Sequence, residues 1–261
     1  MDFELAGKRV FVSGSTQGIG YAVAASCAAE GASVLINGRS RERVDRAVER
    51  LRASGAGSEV SGLVADFTDP QQVQALLSAL GTVDILVNNV GLFDLAPFTE
   101  IEDEEWTRYF EVNVMSGVRL SRHLLDAMLE KGWGRIIFIG TESAVDVPRD
   151  MIHYGATKAA ALALSNGLAK LTRGTGVTVN TVLGGPTYSD GVASTVEQIA
   201  SAQSVSPDVL KSALVRDSSL IQRFIEPAEI ANVVTYLASP ISSVTNGAAI
   251  RADGGVLSTI I

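Results

Sequence analysis

Short β-branched runs alternate with helical patterns from one end of this chain to the other, and that rhythm restricts the fold more than any single motif. Residues 9–13, 33–37, 59–64, 83–88, 135–139 and 178–183 read as buried strands, with 248–251 as a seventh. Helical patterns fill the gaps at 19–30, 41–53, 70–80, 103–131, 154–173 and 227–239. Strands separated by helices are joined by crossovers, so they lie parallel and both sheet faces are covered. The expectation is an α/β chain: one domain over 1–261, a Rossmann-type doubly wound parallel sheet of about seven strands. Ligands of such sheets bind at the carboxyl ends of the strands.

Local signals mark the element ends. Gly31 follows the first helical pattern, Pro70 opens the third behind Asp69, and Thr99 with Glu102 makes a capping-box pattern before the fourth. The acidic run 100–105 suits a helix N-terminus, where negative charge meets the positive end of the dipole. One segment breaks the rhythm. Residues 186–224 are Ser- and Ala-rich and helical only in patches, the mark of a lid or binding loop. Val192, Val196, Ile199 and Ala200 fit one face of a short lid helix.

Composition excludes several functions. With 46% hydrophobic residues, 261 residues bury a substantial core, yet no apolar run approaches the ~20 residues that span a bilayer. The acidic start has no apolar signal region, and the single Cys27 can form no internal disulfide, so the cytoplasm is the expected compartment. A net charge of −8 argues against nucleic acid and anionic membranes as partners. The two histidines and one cysteine show no metal-ligand spacing, and no metal is expected. G-x-S-x-G is absent, which disfavours a serine hydrolase.

Two features carry chemistry. Straight after the first strand come Ser13, Gly14, Ser15, Thr16, Gln17, Gly18, Ile19 and Gly20, a G-x-x-x-G-x-G turn opening a helix whose free N–H groups suit a pyrophosphate. Tyr154 and Lys158 lie four apart, hence on one helix face. A phenol beside a permanent ammonium has its phenolate stabilised, so its pKa should fall from ~10 toward neutrality. That would make Tyr154 a proton donor and acceptor usable at physiological pH.

Together with Asn88-Asn89-Val90-Gly91, Asn113, Asn180-Thr181-Val182, Gly185-Pro186-Thr187 and Asp253-Gly254-Gly255, these motifs resemble the short-chain dehydrogenase/reductase family over nearly the whole chain. The resemblance implies an oxidoreductase with Tyr154 as general acid/base, Lys158 lowering its pKa and holding the nicotinamide ribose, and Asn113 holding a water that links Lys158 to solvent. It implies a cofactor site of Gly14, Ser15, Thr16, Gln17, Gly18, Ile19 and Gly20, then Asp66 and Phe67 at the adenine and Asn89, Val90 and Gly91 at the ribose. Gly185, Pro186 and Thr187 would face the nicotinamide. Where the family orients the substrate with a Ser thirteen residues before the Tyr, this chain has Thr141, with Ser143 as the rival hydroxyl. Gly184 replaces the family's usual proline.

The second strand ends Asn37-Gly38-Arg39, without the acid expected of NAD-preferring relatives. A guanidinium fork suits a phosphate, so NADP(H) is preferred, with NAD(H) possible. Between Thr187 and Leu210 the lid carries three acids and no Lys or Arg, which suits a small or medium uncharged ketone or secondary alcohol. Arg149, Lys211 and Arg216 are the cations able to fold back toward it. His153 is expected to pack and His123 to be structural, since neighbours in sequence do not share a helix face. The alanine-rich helix at 154–173, with Gly155 and Gly167, suggests close packing on a symmetry mate and a homo-oligomer, a tetramer by family resemblance. The rivals are a 3-oxoacyl-thioester reductase, an NAD-dependent polyol or sugar dehydrogenase, and a non-catalytic dinucleotide-binding protein.

Overall fold

The computed structural model describes residues 2–54, 59–203 and 205–260. Its elements run β1 (Arg9–Val12), α1 (Gly18–Ala29), β2 (Ser33–Gly38), α2 (Arg41–Ala53), β3 (Val60–Val64), α3 (Pro70–Leu80), β4 (Ile85–Asn88), α4 (Asp103–Phe110) and α5 (Ser116–Lys131). There follow β5 (Trp133–Thr141), α6 (Ile152–Leu171), β6 (Gly176–Gly184), α7 (Asp190–Gln203), α8 (Pro207–Ala213), α9 (Pro227–Ala238) and β7 (Ala249–Ala252). The seven strands form one sheet in the order β3-β2-β1-β4-β5-β6-β7, and every neighbouring pair is parallel.

Period-two side-chain geometry divides each strand between two cores. On β1, Val10 and Val12 join the core formed with α1, α2 and α9, while Phe11 joins the core formed with α3 and α5. On β5, Ile137 and Ile139 face the first core, and Ile136 and Phe138 the second. Burial on both faces explains why these strands read as continuous apolar runs. The chain reverses its direction of travel across the sheet between β1 and β4, and such a reversal opens a crevice at the strand ends.

Two local expectations are revised. The helical pattern at 103–131 is broken by a π-helical turn, Glu111–Met115, between α4 and α5. The capping box expected from Thr99 and Glu102 does not form: Thr99 lies in a 3-10 turn, Phe98–Glu100, and Glu102 precedes α4 without a side-chain cap. A capping box occurs instead at α9, between Glu226 and Glu229. Residues 186–224 hold two helices, α7 and α8; Val196 and Ala200 are buried beneath α7, while the Ile199 side chain lies outside the described residues. Among the described residues, no helix is long and apolar enough to cross a membrane.

Candidate active site

A cavity of about 1120 Å³ opens over the carboxyl ends of the central strands, beneath α7. Its floor at one end is the glycine turn between β1 and α1. Gly18 sits there at φ +59°, a conformation that side-chain-bearing residues avoid. At Gly20 a Cβ would stand 2.4 Å from Asn89 Nδ2 and 2.6 Å from the Gly14 carbonyl, so only hydrogen fits. Asn89 locks the turn from β4, donating from Nδ2 to the carbonyls of Ser13 (3.0 Å) and Gly14 (2.8 Å).

Gly14, Thr16, Gln17, Gly18, Ile19 and Gly20 all line the cavity. Ser15 does not, contrary to expectation. It is fully buried, its hydroxyl donating to the Val12 carbonyl at 2.6 Å and accepting from the Asn37 N–H at 2.9 Å. Ser15 therefore ties β1 to β2 rather than facing a ligand.

The start of α1 has no side-chain cap of its own. The Gly18 N–H instead donates to Asp190 Oδ2 at 2.6 Å, across from the first residue of α7. A carboxylate thus already occupies the position that a helix terminus offers to an anion, and the donor set there fits a pyrophosphate oxygen equally well. Arg39 lines the cavity, is exposed, and makes no hydrogen bond or ion pair with any described residue. Arg43, in the first turn of α2, lines the same end and was missed in the sequence, where it reads as one of several basic residues on a solvated helix. Asp66 and Phe67 line this end too, with Asp66 Oδ1 accepting from the Thr68 N–H (2.9 Å) and hydroxyl (2.8 Å). Val90, Gly91, Gly185, Pro186 and Thr187 complete the wall.

At the other end, Tyr154 and Lys158 project from successive turns of α6. The Lys158 ammonium lies 5.9 Å from the Tyr154 ring centroid and donates to the Ile139 carbonyl at 3.1 Å. Burial pushes the Lys158 pKa down from 10.5 to about 8. Tyr154 moves the other way. It keeps part of its surface on the cavity, but desolvation of the phenolate raises its pKa; a hydrogen bond with Thr141 opposes this, and the Glu142 carboxylate adds to it. The expected fall toward neutrality is therefore corrected: a partly desolvated ammonium turned toward Ile139 does not offset the loss of water around the phenol. Tyr154 is held as a neutral phenol.

Thr141 ends β5 and lines the cavity, as Tyr154 does. Its hydroxyl donates to Glu142 Oε2 at 2.5 Å and accepts from the Ser143 N–H at 3.2 Å. The Ser143 hydroxyl donates to Glu142 Oε1 at 3.3 Å, so both rival hydroxyls are turned to the same carboxylate. Glu142 was missed in the sequence, where a single acid after a strand carries no signal. It is buried and lines the cavity, and its Oε1 also meets Arg216 Nη2 at 3.2 Å. Of the three cations considered for the lid, Arg216 thus reaches the cavity, neutralised by Glu142. Lys211 stands 3.7 Å over the Tyr188 ring and Arg149 is exposed.

Asn113 lies in the π turn and does not line the cavity. Its Nδ2 donates to the Leu92 carbonyl (3.0 Å) and the Thr157 hydroxyl (2.9 Å), and its Oδ1 accepts from the Leu92 N–H (2.7 Å). The side chain clamps the loop after β4 to α6. A π turn widens the helix locally, which aims this amide between the two elements. His153 is buried against the rings of Tyr109 (4.1 Å between centroids) and Trp106 (6.2 Å) and does not line Tyr154's cavity.

The family model for short chain dehydrogenases matches residues 8–200. The chain belongs to the short-chain dehydrogenase family. Over its full length it is 44% identical to the uncharacterized oxidoreductase YvaG of Bacillus subtilis strain 168, covering 100% of both chains. It is 32% identical to the 3-oxoacyl-[acyl-carrier-protein] reductase FabG of Escherichia coli K12, over 98% of this chain and 99% of that one. Among solved structures it superposes with a TM-score of 0.94, at 31% identity and 100% coverage of both chains, on L-sorbose reductase of Gluconobacter frateurii complexed with NADPH and L-sorbose. The protein is an NAD(P)-dependent oxidoreductase of this family.

Proposed function

We propose that this protein reduces small or medium-sized uncharged ketones with NADPH, and oxidises the matching secondary alcohols in reverse. The observation that carries the reading is the convergence of Tyr154, Lys158 and Thr141 on one cavity that also takes in the glycine turn. A phenol hydroxyl facing the cavity is a proton donor, the group a carbonyl oxygen needs as it becomes a hydroxyl. Thr141 orients that oxygen, and Ser143 lines the substrate side. Lys158 holds the ribose and compensates the charge that develops on Tyr154; Asn113 acts as a positioning residue through Thr157 and the loop after β4. Bound NADPH supplies the hydride to the carbonyl carbon.

The residues that would hold the cofactor are the glycine turn at its pyrophosphate, Asp66 and Phe67 at its adenine, and Asn89 with Val90 and Gly91 at its ribose. Gly185, Pro186 and Thr187 would hold its carboxamide. Arg39 and Arg43, two guanidiniums at one end of the cavity, support NADPH over NADH, as does the NADPH bound to the sorbose reductase. The buried Glu142 and the net charge of −8 weigh against an acidic carrier protein, although FabG relatives act on one.

The protein works in the cytoplasm as a homo-oligomer, a tetramer with α6 and the stretch 103–131, which holds α4 and α5, at a two-fold interface. Support comes from α6 itself, where a Cβ at Gly167 would meet nothing and Leu171 is 61% exposed. Gly155 serves a different purpose, since a Cβ there would meet Val147 of the same chain at 2.6 Å. The deciding experiment is NADPH oxidation over a panel of ketones and acyl thioesters, with Tyr154→Phe as control. More than about a tenth of wild-type activity in that variant, against the ~10²-fold or larger loss expected of a missing proton donor, rules out the assignment.

A further inference from the structure

We propose that Glu142 selects the substrate, accepting a hydrogen bond from a hydroxyl on the carbon next to the reacting carbonyl; the preferred substrates are then α-hydroxy ketones. This rests on the ketone-reductase reading. The starting point is a conflict inside the site. The Thr141 hydroxyl has one proton and gives it to Glu142 at 2.5 Å. A carboxylate is a stronger acceptor than a ketone oxygen, so a plain ketone competes poorly for that proton.

A carboxylate offers about four lone-pair sites, and Glu142 engages three, with Thr141, Ser143 and Arg216. One remains, and the residue borders the cavity. An oxygen on the carbon beside a carbonyl lies within hydrogen-bond length of the carbonyl oxygen. That matches the 2.5 Å between the Thr141 and Glu142 oxygens. A hydroxyl there donates to Glu142 and frees the Thr141 hydroxyl to donate a hydrogen bond to the carbonyl oxygen, and Tyr154 alone transfers its proton to that oxygen. Hydride arrives at the carbonyl carbon, and the products are a vicinal diol and oxidised cofactor. Arg216 pairs with the buried Glu142 side chain, and a carboxylated substrate would have to take Arg216 away from it.

Three ketones of near-equal size read the proposal: hydroxyacetone, butanone and pyruvate, each with NADPH, in the wild type, Glu142→Ala, Glu142→Gln and Arg216→Ala. A charge-assisted hydrogen bond predicts a wild-type kcat/KM for hydroxyacetone roughly ten- to a hundredfold above that for butanone. Glu142→Ala should bring this ratio within about threefold, whatever happens to the absolute rates, and Glu142→Gln, which keeps an acceptor oxygen, should fall between. A wild-type ratio near one, or a ratio unchanged in Glu142→Ala, overturns the proposal. So does preference for pyruvate that disappears in Arg216→Ala, since the guanidinium would then be the selecting group. Turnover of butanone that vanishes in Tyr154→Phe upholds the reductase reading even where the hydroxyl preference fails. No Tyr154-dependent turnover of any of the three overturns both.

Discussion

Replacing Lys158 with Met should stabilise the protein at neutral pH while removing its activity, and the pH dependence of that gain can be worked from the structure. Lys158 is buried, and burial lowers its pKa from 10.5 to about 8. Between those values the unfolded chain binds more protons than the folded one, so wild-type stability rises with pH. The desolvation cost is fully present below about pH 8 and is relieved as pH climbs toward about 10.5. The whole span corresponds to on the order of 3 kcal/mol, of which about 2 kcal/mol is recovered between about pH 7 and about pH 9.5. Met has similar length and no charge, so it avoids this cost. It also leaves the Ile139 carbonyl without its 3.1 Å donor, a loss of ~1–2 kcal/mol that does not vary with pH. Urea unfolding of both proteins at the two pH values, at one protein concentration, measures the difference. Lys158→Met should be ahead by ~1–2 kcal/mol near neutrality and, as the wild type recovers about 2 kcal/mol, be level with it or up to ~1 kcal/mol behind at the alkaline pH. A difference that is flat with pH, or that grows in favour of Lys158→Met, refutes the account of a desolvated ammonium.

Loss of one guanidinium contact of ~1.5–3 kcal/mol should cut the kcat/KM preference for NADPH over NADH roughly ten- to a hundredfold in Arg39→Ala, with Arg43→Ala compounding it; equal or better use of NADH by the wild type refutes the assignment. Thr141→Ser should retain activity and Thr141→Val should lose ~10²-fold or more, the scale of one oxyanion donor; a harmless Thr141→Val with a crippling Ser143→Ala would move the role to Ser143. Asp190→Asn should tighten NADPH binding several-fold in calorimetry, because a carboxylate on the Gly18 N–H competes with the pyrophosphate; weaker binding in that variant would show Asp190 to be part of the bound site. Light scattering at micromolar concentration should give an oligomer mass, and a monomer mass would rule the α6 interface out.

Much of the fold was legible because its signals are local. Apolar runs of strand length, each bordered by helical periodicity, fixed the seven strands and their parallel arrangement. The glycine turn and the Tyr154–Lys158 pair were legible because spacing on a helix determines which side chains share a face. Element junctions were less so. Residues 103–131 carry one unbroken helical pattern, and nothing in Glu111–Met115 announces a π turn, since its cause lies in what Asn113 reaches on other elements.

By itself the sequence determined the architecture through its periodicity, pointed to the family through the resemblance its motifs carry, and named most of the expected residues that line the cavity, because pattern and motif are properties of the chain alone. Tertiary structure decided what those residues can do. Desolvation of Tyr154 and Lys158 depends on what surrounds them, and it moved Tyr154 opposite to the direction their spacing implied. Ser15, part of the glycine motif, was turned inward to Val12 and Asn37. Glu142 and Arg216 stand 74 positions apart in the chain, and only the folding of the segment after α8 over β5 brings them to 3.2 Å beside Thr141. A buried charge needs a partner wherever the chain supplies one, and no local pattern says where that is.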